Sequence, residues 1–583
     1  MPSEQDLASR QPGYFHAVAI DYDGTLSDTD RPAADVLAAL AETRAAGRRV
    51  ILVTGRILAE LRAVFPDVDR HFDLIVGENG GVLSSQGVER VLAVPVAKEL
   101  DDTLAERHVQ FRRGLVLLAC EGHDERAVLA QVRRLGLECQ LIRNRGALMV
   151  LPSGVSKGSG LLEALAELGI SRHNTIAIGD AENDHSLLDV SELGVAPANA
   201  VAALKAHADI TLGLPNGAGV ARFLRDVVVS SVERVHPTRW RLELGTRPDG
   251  TSLWVPASQL NMLIVGGSGA GKSYVAGLVA ERLIVLGYSV LVVDPEGDHI
   301  GLAKLRGVTL IGGTAQLPPA QQLAALLTNR SGSVVVDLSS VPPAERAEYL
   351  RAAPRAVEGQ RQASGLPHWV IVDEAHDALG RADRDPLFLE PGLTGYCLAT
   401  YRPDDLPAEA LLGTDVLLAL PGPGDLATTI DLVAAASVMS HSRTEEIVRT
   451  VQPGQAILVD RRRASSPAVF DLAERTTAHH RHWHKYSLGG VAGDRRFYFR
   501  RGPDTPTGTT AGSVEELERE LRGCDEAVIR HHSRNGDLSR WIAAVLRDAP
   551  LASAVSAIEA DVAGGAGDGR ERLLRTIHEH YSA

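Results

Sequence analysis

Apolar, β-branched runs alternate with Ala/Leu-rich amphipathic stretches along most of the chain. AVAID (17–21) reads as a strand, residues 32–46 as a helix, and VILVT (50–54) as the next strand. Strands that are apolar at every position, separated by amphipathic helices, predict parallel sheets covered by helices. This rhythm runs to about Asp226. WRLELGTRPDGTSLWVP (240–256) has a different texture, that of a hairpin turning at Pro248-Asp249-Gly250. The rhythm restarts at MLIVGG (262–267) and continues through VLVVD (290–294), VVVDL (334–338), WVIVDE (369–374), VLLAL (416–420) and AILVD (456–460). From about residue 470 the chain becomes His/Arg-rich and then helical. No internal repeat is visible, and the Gly/Ala stretch 563–568 reads as a short loop. The expected fold class is α/β, with two parallel-sheet Rossmann-like domains and a small helical C-terminal domain.

The chain has 583 residues. Single cores stop growing beyond roughly 250–300 residues, so several domains are expected. Hydrophobic residues make up 44%, enough for several cores. No stretch approaches the roughly 20 apolar residues of a membrane span, and no membrane partner is expected. The segment MPSEQDLASRQPGYFHA lacks a basic region followed by an apolar run, so no signal peptide is expected. Cys120, Cys139, Cys397 and Cys524 have neither metal-site nor redox spacing. That usage fits a reducing cytoplasm. A formal net charge of −14 lends no electrostatic support to broad nucleic-acid binding, although a local basic patch is compatible with it.

Candidate chemistry begins at AVAIDYDGT (17–25). A buried strand ends at Asp21, and Asp23 follows two residues later, before Gly24. One carboxylate can attack phosphorus in line; the second can protonate the leaving oxygen and later activate water. Two carboxylates this close repel, and a cation keeps both ionised; Mg²⁺ suits oxygen ligands and phosphate. Alone, the segment is also compatible with a turn at a strand end. Three others reinforce the chemical reading. LVTGR (52–56) is a strand ending in the hydroxyl of Thr54, followed by Gly55. GVSKGSGL (154–161) supplies Lys157 at a helix start. IAIGDAENDHSLLD (176–189) ends a strand at Asp180, followed by Asn183 and Asp184. These groups follow strands or open helices, so they can converge at the carboxyl edge of one sheet, where α/β ligands bind.

These four segments, in order and well spaced, resemble the four motifs of the haloacid-dehalogenase superfamily over about residues 14–227. The resemblance implies a phosphatase in which Asp21 forms a phosphoaspartate and Asp23 is the general acid/base and gives a carbonyl to Mg²⁺. Thr54, Gly55, Lys157 and Asn183 would bind phosphate. Asp21, Asp23, Asp180 and Asp184 would form the metal site, although Asp184 is equally compatible with a capping or supporting role. The long segment between Gly81 and Pro152, with GLVLLAC (114–120) and ERAVLAQVRRLGL (125–137), is similar to the cap of Cof-like sugar-phosphate phosphatases, at about 84–152. GENGGVL (77–83) and NRGALMVLPSGVSKG (144–158) also look like that group. Arg143, Asn144 and Arg145 are candidates to face substrate, but short polar clusters between strands are usually solvated loops.

A second site stands at GGSGAGKS (266–273), after the strand MLIV and before a helix. It fits G-x-x-x-x-G-K-[ST] in the strand–loop–helix context that motif requires. Backbone N–H groups of Gly266, Gly267, Ser268, Gly269, Ala270 and Gly271 can surround a β-phosphate. Lys272 adds charge for the β/γ-phosphates, and Ser273 offers a hydroxyl to Mg²⁺. HWVIVDEAHDAL (368–379) supplies Asp373 as the acid for that cation and Glu374 as a base for water. His376 is read as a polar neighbour rather than a metal ligand. With DPEGDH (294–299) and ATYRPDDLP (399–407), these segments resemble the HerA/FtsK branch of P-loop ATPases over about 235–465. Relatives usually carry glutamine where Tyr401 stands, which puts rapid or DNA-coupled hydrolysis in doubt.

In the tail, about 470–583, HHRHWHKY (479–486) is read as a basic, partly stacked surface rather than a metal site. VEELERELRGC (514–524) and LSRWIAAVLRD (538–548) have helical periodicity. GDLSRW (536–541) has Asp537 or Ser539 as candidate cap, and Trp541 is read as core. The combined expectation is Mg²⁺-dependent hydrolysis of a small phosphomonoester, a sugar phosphate or related metabolite, fused to an ATP-binding or hydrolysing domain. The rivals are a nucleotide-sensing regulator with phosphatase output and a DNA-translocating motor with an accessory phosphatase. Nucleic acid is the less favoured partner, and a ring assembly stays open.

Overall fold

The computed structural model describes residues 13–582 except 145, 231–234, 236, 268, 314, 329–331, 380–393, 422–425, 464, 478–495, 504, 547–548 and 566. Among them no helix is long and apolar enough to cross a membrane. The chain divides into two compact units: Met1–Pro295 with His299–His479, and Glu296–Asp298 with His480–Ala583.

The first unit opens with strands β1 (Ala17–Asp21), β2 (Arg49–Val53), β3 (Leu74–Gly77), β4 (Val82–Ser85) and β5 (Val88–Val91). Strands β6 (Phe111–Arg113), β7 (Leu118–Glu121), β8 (Cys139–Asn144) and β9 (Ala147–Pro152) then form a separate antiparallel sheet, ordered β6-β7-β9-β8. β10 (Thr175–Ile178), β11 (Leu193–Ala196) and β12 (Ile210–Thr211) return to the first sheet, ordered β12-β11-β10-β1-β2-β3-β4-β5. That sheet is parallel from β12 to β3, but β4 and β5 join antiparallel, so it is mixed rather than wholly parallel as expected.

Period-two alternation explains the unbroken apolar runs. Val18, Ile20, Val50 and Leu52 pack into one cluster with Val36, Ala39 and Leu40 of the helix Ala34–Ala45. Ala17, Ala19, Ile51 and Val53 point to the other face, where Leu161, Ala164 and Leu165 of the helix Lys157–Leu168 cover them. A strand buried on both faces has no position for a polar residue until it ends. The inserted sheet follows the same rule. Leu118, Cys120, Leu148 and Val150 meet Leu104 and Val128 of its own helices. Leu117, Ala119, Met149 and Leu151 face Ile57 and Val155.

The other large sheet contains β13 (Arg241–Thr246), β14 (Ser252–Pro256), β15 (Met262–Gly266), β16 (Val290–Asp294), β17 (Val308–Gly312), β18 (Ser333–Asp337), β19 (Trp369–Val372), β20 (Tyr396–Thr400), β21 (Val416–Leu420), β22 (Gln455–Asp460) and β23 (Ala468–Leu472). The order is β14-β13-β23-β22-β21-β15-β20-β19-β16-β18-β17. It is parallel from β21 to β17 and antiparallel beyond, again mixed. Gly250 N–H donates to the Arg247 carbonyl at 2.9 Å, closing the β13–β14 turn.

The second unit carries the antiparallel hairpin β24 (Phe497–Gly502) and β25 (Thr505–Ala511), followed by helices. Its core includes Phe497, Phe499, Leu517, Trp541 and Leu573. Neither Asp537 nor Ser539 caps the helix Asp537–Trp541. The buried carboxylate of Glu559 accepts from the Leu538 and Ser539 N–H groups instead, at 2.9 and 3.2 Å. A carboxylate from a later helix thus satisfies donors that a local side chain was expected to take. The HHRHWHKY segment (479–486) lies outside the described residues.

Candidate active sites

β1 and β10 are neighbours in the middle of the first sheet. Asp21 is therefore brought beside Asp180 at their carboxyl ends, although 159 positions separate them in sequence. Lys157 is the first residue of the helix Lys157–Leu168, whose N-cap Ser156 forms a reciprocal capping box with Ser159. The cap fixes the direction in which Lys157 enters the site. Its Nζ lies 2.6 Å from Asp21 Oδ1 and 2.6 Å from Asp184 Oδ1, all three side chains being buried. Thr25 Oγ1 donates toward Asp21 Oδ2 at 3.3 Å and Asp180 Oδ1 at 3.2 Å. Asp184 Oδ2 accepts from the N–H groups of Asp180 and Ala181 at 2.9 and 3.0 Å. Asp184 therefore pairs with Lys157 through one oxygen and shapes the turn behind Asp180 through the other.

Burial, followed by repulsion from Asp184, pushes the Asp21 carboxyl well above its usual range. Burial alone would depress the Lys157 ammonium, but attraction to Asp184 and Asp21 outweighs it and the net shift is upward. Oxygens of Asp21, Asp180 and Asp184 lie within 4.8 Å of one another. An all-oxygen set in which three carboxylates gather around one ammonium fits a hard divalent cation, which restores the charge balance of the cluster.

Asp23 lies apart from that carboxylate group. Arg56 holds it in a two-pronged contact, Nε to Oδ2 at 3.0 Å and Nη2 to Oδ1 at 2.6 Å. Thr54 is buried, and its Oγ1 accepts from the Arg56 N–H at 3.1 Å. Asn183 Nδ2 donates to Asn79 Oδ1 at 3.1 Å, while Asn183 Oδ1 is buried with no protein partner. The inserted sheet roofs the site: a Cβ placed on Gly55 would lie 3.3 Å from Met149 Sδ. Arg143 is exposed and pairs with Glu125, so it is a solvated residue of the cap. The Asn144 side chain and Arg145 lie outside the described residues. Thr25, Arg56, Glu78 and Asn79 had no assigned role in the sequence, although Arg56 and Glu78 stand inside the quoted segments LVTGR and GENGGVL.

At the second centre, β15 leads into the loop and then into the helix Lys272–Leu286. Gly271 has φ 103°, a left-handed conformation that favours glycine. A Cβ on Gly266 would come 2.4 Å from the Leu420 carbonyl oxygen, so glycine is required there by close approach. Lys272 Nζ donates to the Gly267 carbonyl at 3.1 Å and lies 5.5 Å from the centroid of the Tyr401 ring. Ser268 lies outside the described residues.

Asp373 follows β19 and receives hydrogen bonds from Ser273 and from His299 Nε2, the latter at 3.1 Å. Burial works to raise its carboxyl, but these partners outweigh it and bring it down to about 2. Glu374 is buried in a left-handed conformation, φ 48° and ψ 47°, which is rare for a non-glycine residue and clusters at functional sites. His376 Nδ1 lies 3.1 Å from Thr400 Oγ1 and 3.5 Å from Glu374 Oε2, and its ring meets Tyr401 edge-on at 4.5 Å. His376 is thus a polar neighbour of the acidic strand. His299, buried against Asp373, is a residue of this centre that the sequence did not single out; its position in DPEGDH at the end of β16 was the available clue.

Strand-end carboxylates, a buried lysine and a roofed sheet define an α/β enzyme core with an inserted cap. A family model described as haloacid dehalogenase-like hydrolase matches residues 18–124 and 140–224. The phosphoglycolate phosphatase of Methanopyrus kandleri is 33% identical over 227 residues, spanning 36% of this chain and 96% of the relative. That of Methanothermobacter thermautotrophicus is 32% identical over 217 residues, spanning 36% and 98%. A crystal structure of a haloacid dehalogenase-like hydrolase from Bacteroides thetaiotaomicron aligns at 20% identity with a TM-score of 0.32, covering 36% of this chain and 99% of that one. The chain belongs to the haloacid dehalogenase-like hydrolases. A second model, described as the central domain of the helicase HerA, matches residues 258–366, so the hydrolase is fused to a HerA-like domain.

Proposed function

We propose that this protein is a Mg²⁺-dependent phosphomonoester hydrolase working through a phosphoaspartate on Asp21, joined to a nucleotide-binding domain with ATPase chemistry. The observation that carries the reading is the junction of Asp21, Lys157, Asp180 and Asp184 at the carboxyl ends of β1 and β10. Asp21, Asp180 and Asp184, with a carbonyl from Asp23, would hold the cation, which supplies charge neutralisation for a phosphoryl group approaching a carboxylate. An Asp21 oxygen attacks phosphorus and the ester P–O bond breaks. The proton for the departing alkoxide comes from the Asp23 carboxyl. Asp23 then takes a proton from water as that water attacks the acyl phosphate and releases inorganic phosphate. Lys157, Thr54 and Asn183 bind phosphoryl oxygens, and the unpartnered Asn183 Oδ1 marks a buried polar atom at this site. The low ceiling at Met149 and the names of the relatives support a small substrate of the phosphoglycolate kind. Turnover of phosphoglycolate and sugar phosphates by purified protein, with and without Mg²⁺, tests this; no phosphomonoesterase activity on any of them rejects it.

In the second domain the loop 266–273 would bind the ATP phosphates. Ser273 and Asp373 would hold a second Mg²⁺, and Glu374 would orient water. One observation favours the nucleotide-sensing version of this reading. The helix that starts at Lys272 ends against the first sheet, where the Leu286 carbonyl accepts from Arg172 Nη2 at 2.9 Å and lies 3.1 Å from His173 Nε2. A non-hydrolysable ATP analogue should then change the phosphatase rate of the full chain; an unchanged rate at saturation removes the sensing version.

A further inference from the structure

Between β3 and β4 the chain makes a turn of two consecutive left-handed residues that are not glycine, Glu78 at φ 52° and Asn79 at φ 55°. Such conformations are uncommon for L residues and persist where surrounding contacts fix them. Here the contacts run to Thr54, Arg56, Asn183 and the cap of the Lys157 helix. Glu78 N–H donates to the Arg56 carbonyl at 3.0 Å and Asn79 N–H to the Thr54 carbonyl at 2.9 Å. Asn79 Oδ1 receives Asn183. Gly80 packs so closely on Ser156, the cap of the Lys157 helix, that a Cβ would lie 1.9 Å from its carbonyl oxygen.

The Glu78 side chain points the other way, into the inserted domain. Its carboxylate is buried and accepts three backbone hydrogen bonds: from Leu115 N–H at 2.8 Å, Val116 N–H at 2.7 Å and Leu117 N–H at 3.0 Å. The approach is close enough that a Cβ on Gly114 would come 2.4 Å from the carboxylate. Val116 belongs to the apolar cluster under the catalytic sheet, with Tyr22 and Phe65. Leu117 leads directly into β7, where Ala119 pairs with Met149 on β9, the residue lying over Gly55. A short path, Leu117-Leu118-Ala119, therefore runs from the Glu78 carboxylate to the ceiling of the site.

We propose that Glu78 is a positioning and specificity-determining residue that fastens the cap to the catalytic sheet and sets the height of the Met149 ceiling. Three N–H groups converging on one carboxylate fix the segment 115–117 in direction as well as distance, as a single contact would not. Released from it, Met149 gains room to move, and the site loses its preference for small leaving groups. The inference rests on the hydrolase reading above.

The test uses the full chain with Glu78→Gln and Glu78→Ala. Gln keeps the shape but presents an NH₂ to a site built from donors. Turnover of phosphoglycolate and of p-nitrophenyl phosphate is measured with Mg²⁺, alongside amide hydrogen exchange. The expected result is a fall of about tenfold or more in the kcat/KM ratio of the small substrate over the aryl one, carried mainly by KM for the small one. Exchange should rise at Leu115, Val116 and Leu117 while the β8 amides keep their protection. An equal loss on both substrates, or unchanged exchange at 115–117 in Glu78→Ala, overturns the proposal. A wild-type chain that cleaves neither substrate rejects the hydrolase reading instead, and the exchange result then still decides whether Glu78 fastens the cap.

Discussion

The Tyr288 hydroxyl lies 3.0 and 2.9 Å from the two carboxyl oxygens of Glu192, joining the residue just beyond the Lys272–Leu286 helix to the residue just before β11. Both side chains are buried, and His173 completes the group. Its ring stacks on Tyr288 at 3.8 Å, with Nδ1 2.7 Å from Glu192 Oε2 and Nε2 3.1 Å from the Leu286 carbonyl. Arg172 Nε also donates toward His173 Nε2 at 3.3 Å. Burial, followed by the Arg172 charge, drives the imidazole pKa well down, and burial pushes the Glu192 carboxyl up to about 8. A buried Glu–His–Tyr cluster thus joins the two large sheets.

The sign of the pH dependence follows. The ordinary carboxyl value is 4.5 and the folded value about 8, so between them the folded chain keeps a proton that the unfolded chain has lost. Stability from this group is fully present below about pH 4.5 and falls with rising pH, by roughly 1.4 kcal/mol per unit, levelling off above pH 8. Glu192→Gln offers the same donor and acceptor without the charge. Denaturant melts from pH 5 to 9 should show the variant gaining on the wild type as pH rises. A difference constant with pH would mean that Glu192 does not titrate in this window.

Asp21→Asn should reduce phosphatase turnover by about a thousandfold or more, with little change in Tm, because shape is kept and the attacking charge is lost. Lys157→Met is expected to differ. It leaves Asp21 and Asp184 buried without their shared ammonium, so stability should drop as well, by about 3 kcal/mol. Residual turnover above a few per cent in Asp21→Asn rules out Asp21 as nucleophile.

Mg²⁺ titration should raise Tm by mass action if it binds the folded carboxylate group and not the unfolded chain. Asp180→Asn and Asp184→Asn separate two roles. Asp180→Asn should weaken the metal response and leave the turn intact. Asp184→Asn should also disturb the Asp180–Ala181 backbone, whose N–H groups it accepts. Full turnover in excess chelator would contradict the metal assignment.

Asp21, Lys157 and Asp180 were legible because each ends an unbroken apolar strand or opens a helix, and because their segments come in order and well spaced along the chain. Of the antiparallel joins, the β13–β14 hairpin was legible at 240–256, whereas the reversals at β3–β4 and β21–β22 were not. β4 and β5 turn back through Glu78–Gly80; the Asn79-Gly80 pair there is a hairpin signal, but the left-handed pair is Glu78–Asn79, whose first residue is glutamate. The partners of Arg56, Glu78 and His299 were hidden for another reason. They lie 33, 37 and 74 positions away, and only the closed sheet brings them together. The helix at Asp537 shows the converse. Local capping residues were present, but a distant carboxylate took the donors.

Lys272→Ala should weaken ATP binding and abolish hydrolysis, since the phosphates lose their principal side-chain charge. The phosphatase rate without nucleotide should stay near wild type, because Lys272 stands in the loop of the second centre, against the Gly267 carbonyl and the Tyr401 ring. Parallel loss of both activities at an unchanged Tm would argue against separate centres.

The last expectation concerns how far the hydrolase part extends. Every residue assigned to its chemistry lies before residue 230, which suggests that residues 1–230 suffice. The contacts of Asp209 argue for a longer piece. Its side chain is only 1% exposed and receives Thr238 N–H at 2.7 Å, Thr238 Oγ1 at 2.9 Å, and Arg239 Nε and Nη2 at 3.1 and 3.0 Å. Trp240 Nε1 donates to the Ser191 carbonyl at 2.9 Å. Cutting at 230 removes all of these and leaves Asp209 with the Gly194 N–H from its own sheet. Water replaces part of what is lost, so the net cost is about 2 kcal/mol rather than the sum of the bonds. For a domain of this size that corresponds to roughly 4–8 °C. Residues 1–240 should therefore melt several degrees above residues 1–230, with the same kcat on a small phosphomonoester because no catalytic group differs between them. Equal melting temperatures would show that segment 238–240 rests on the sheet without stabilising it.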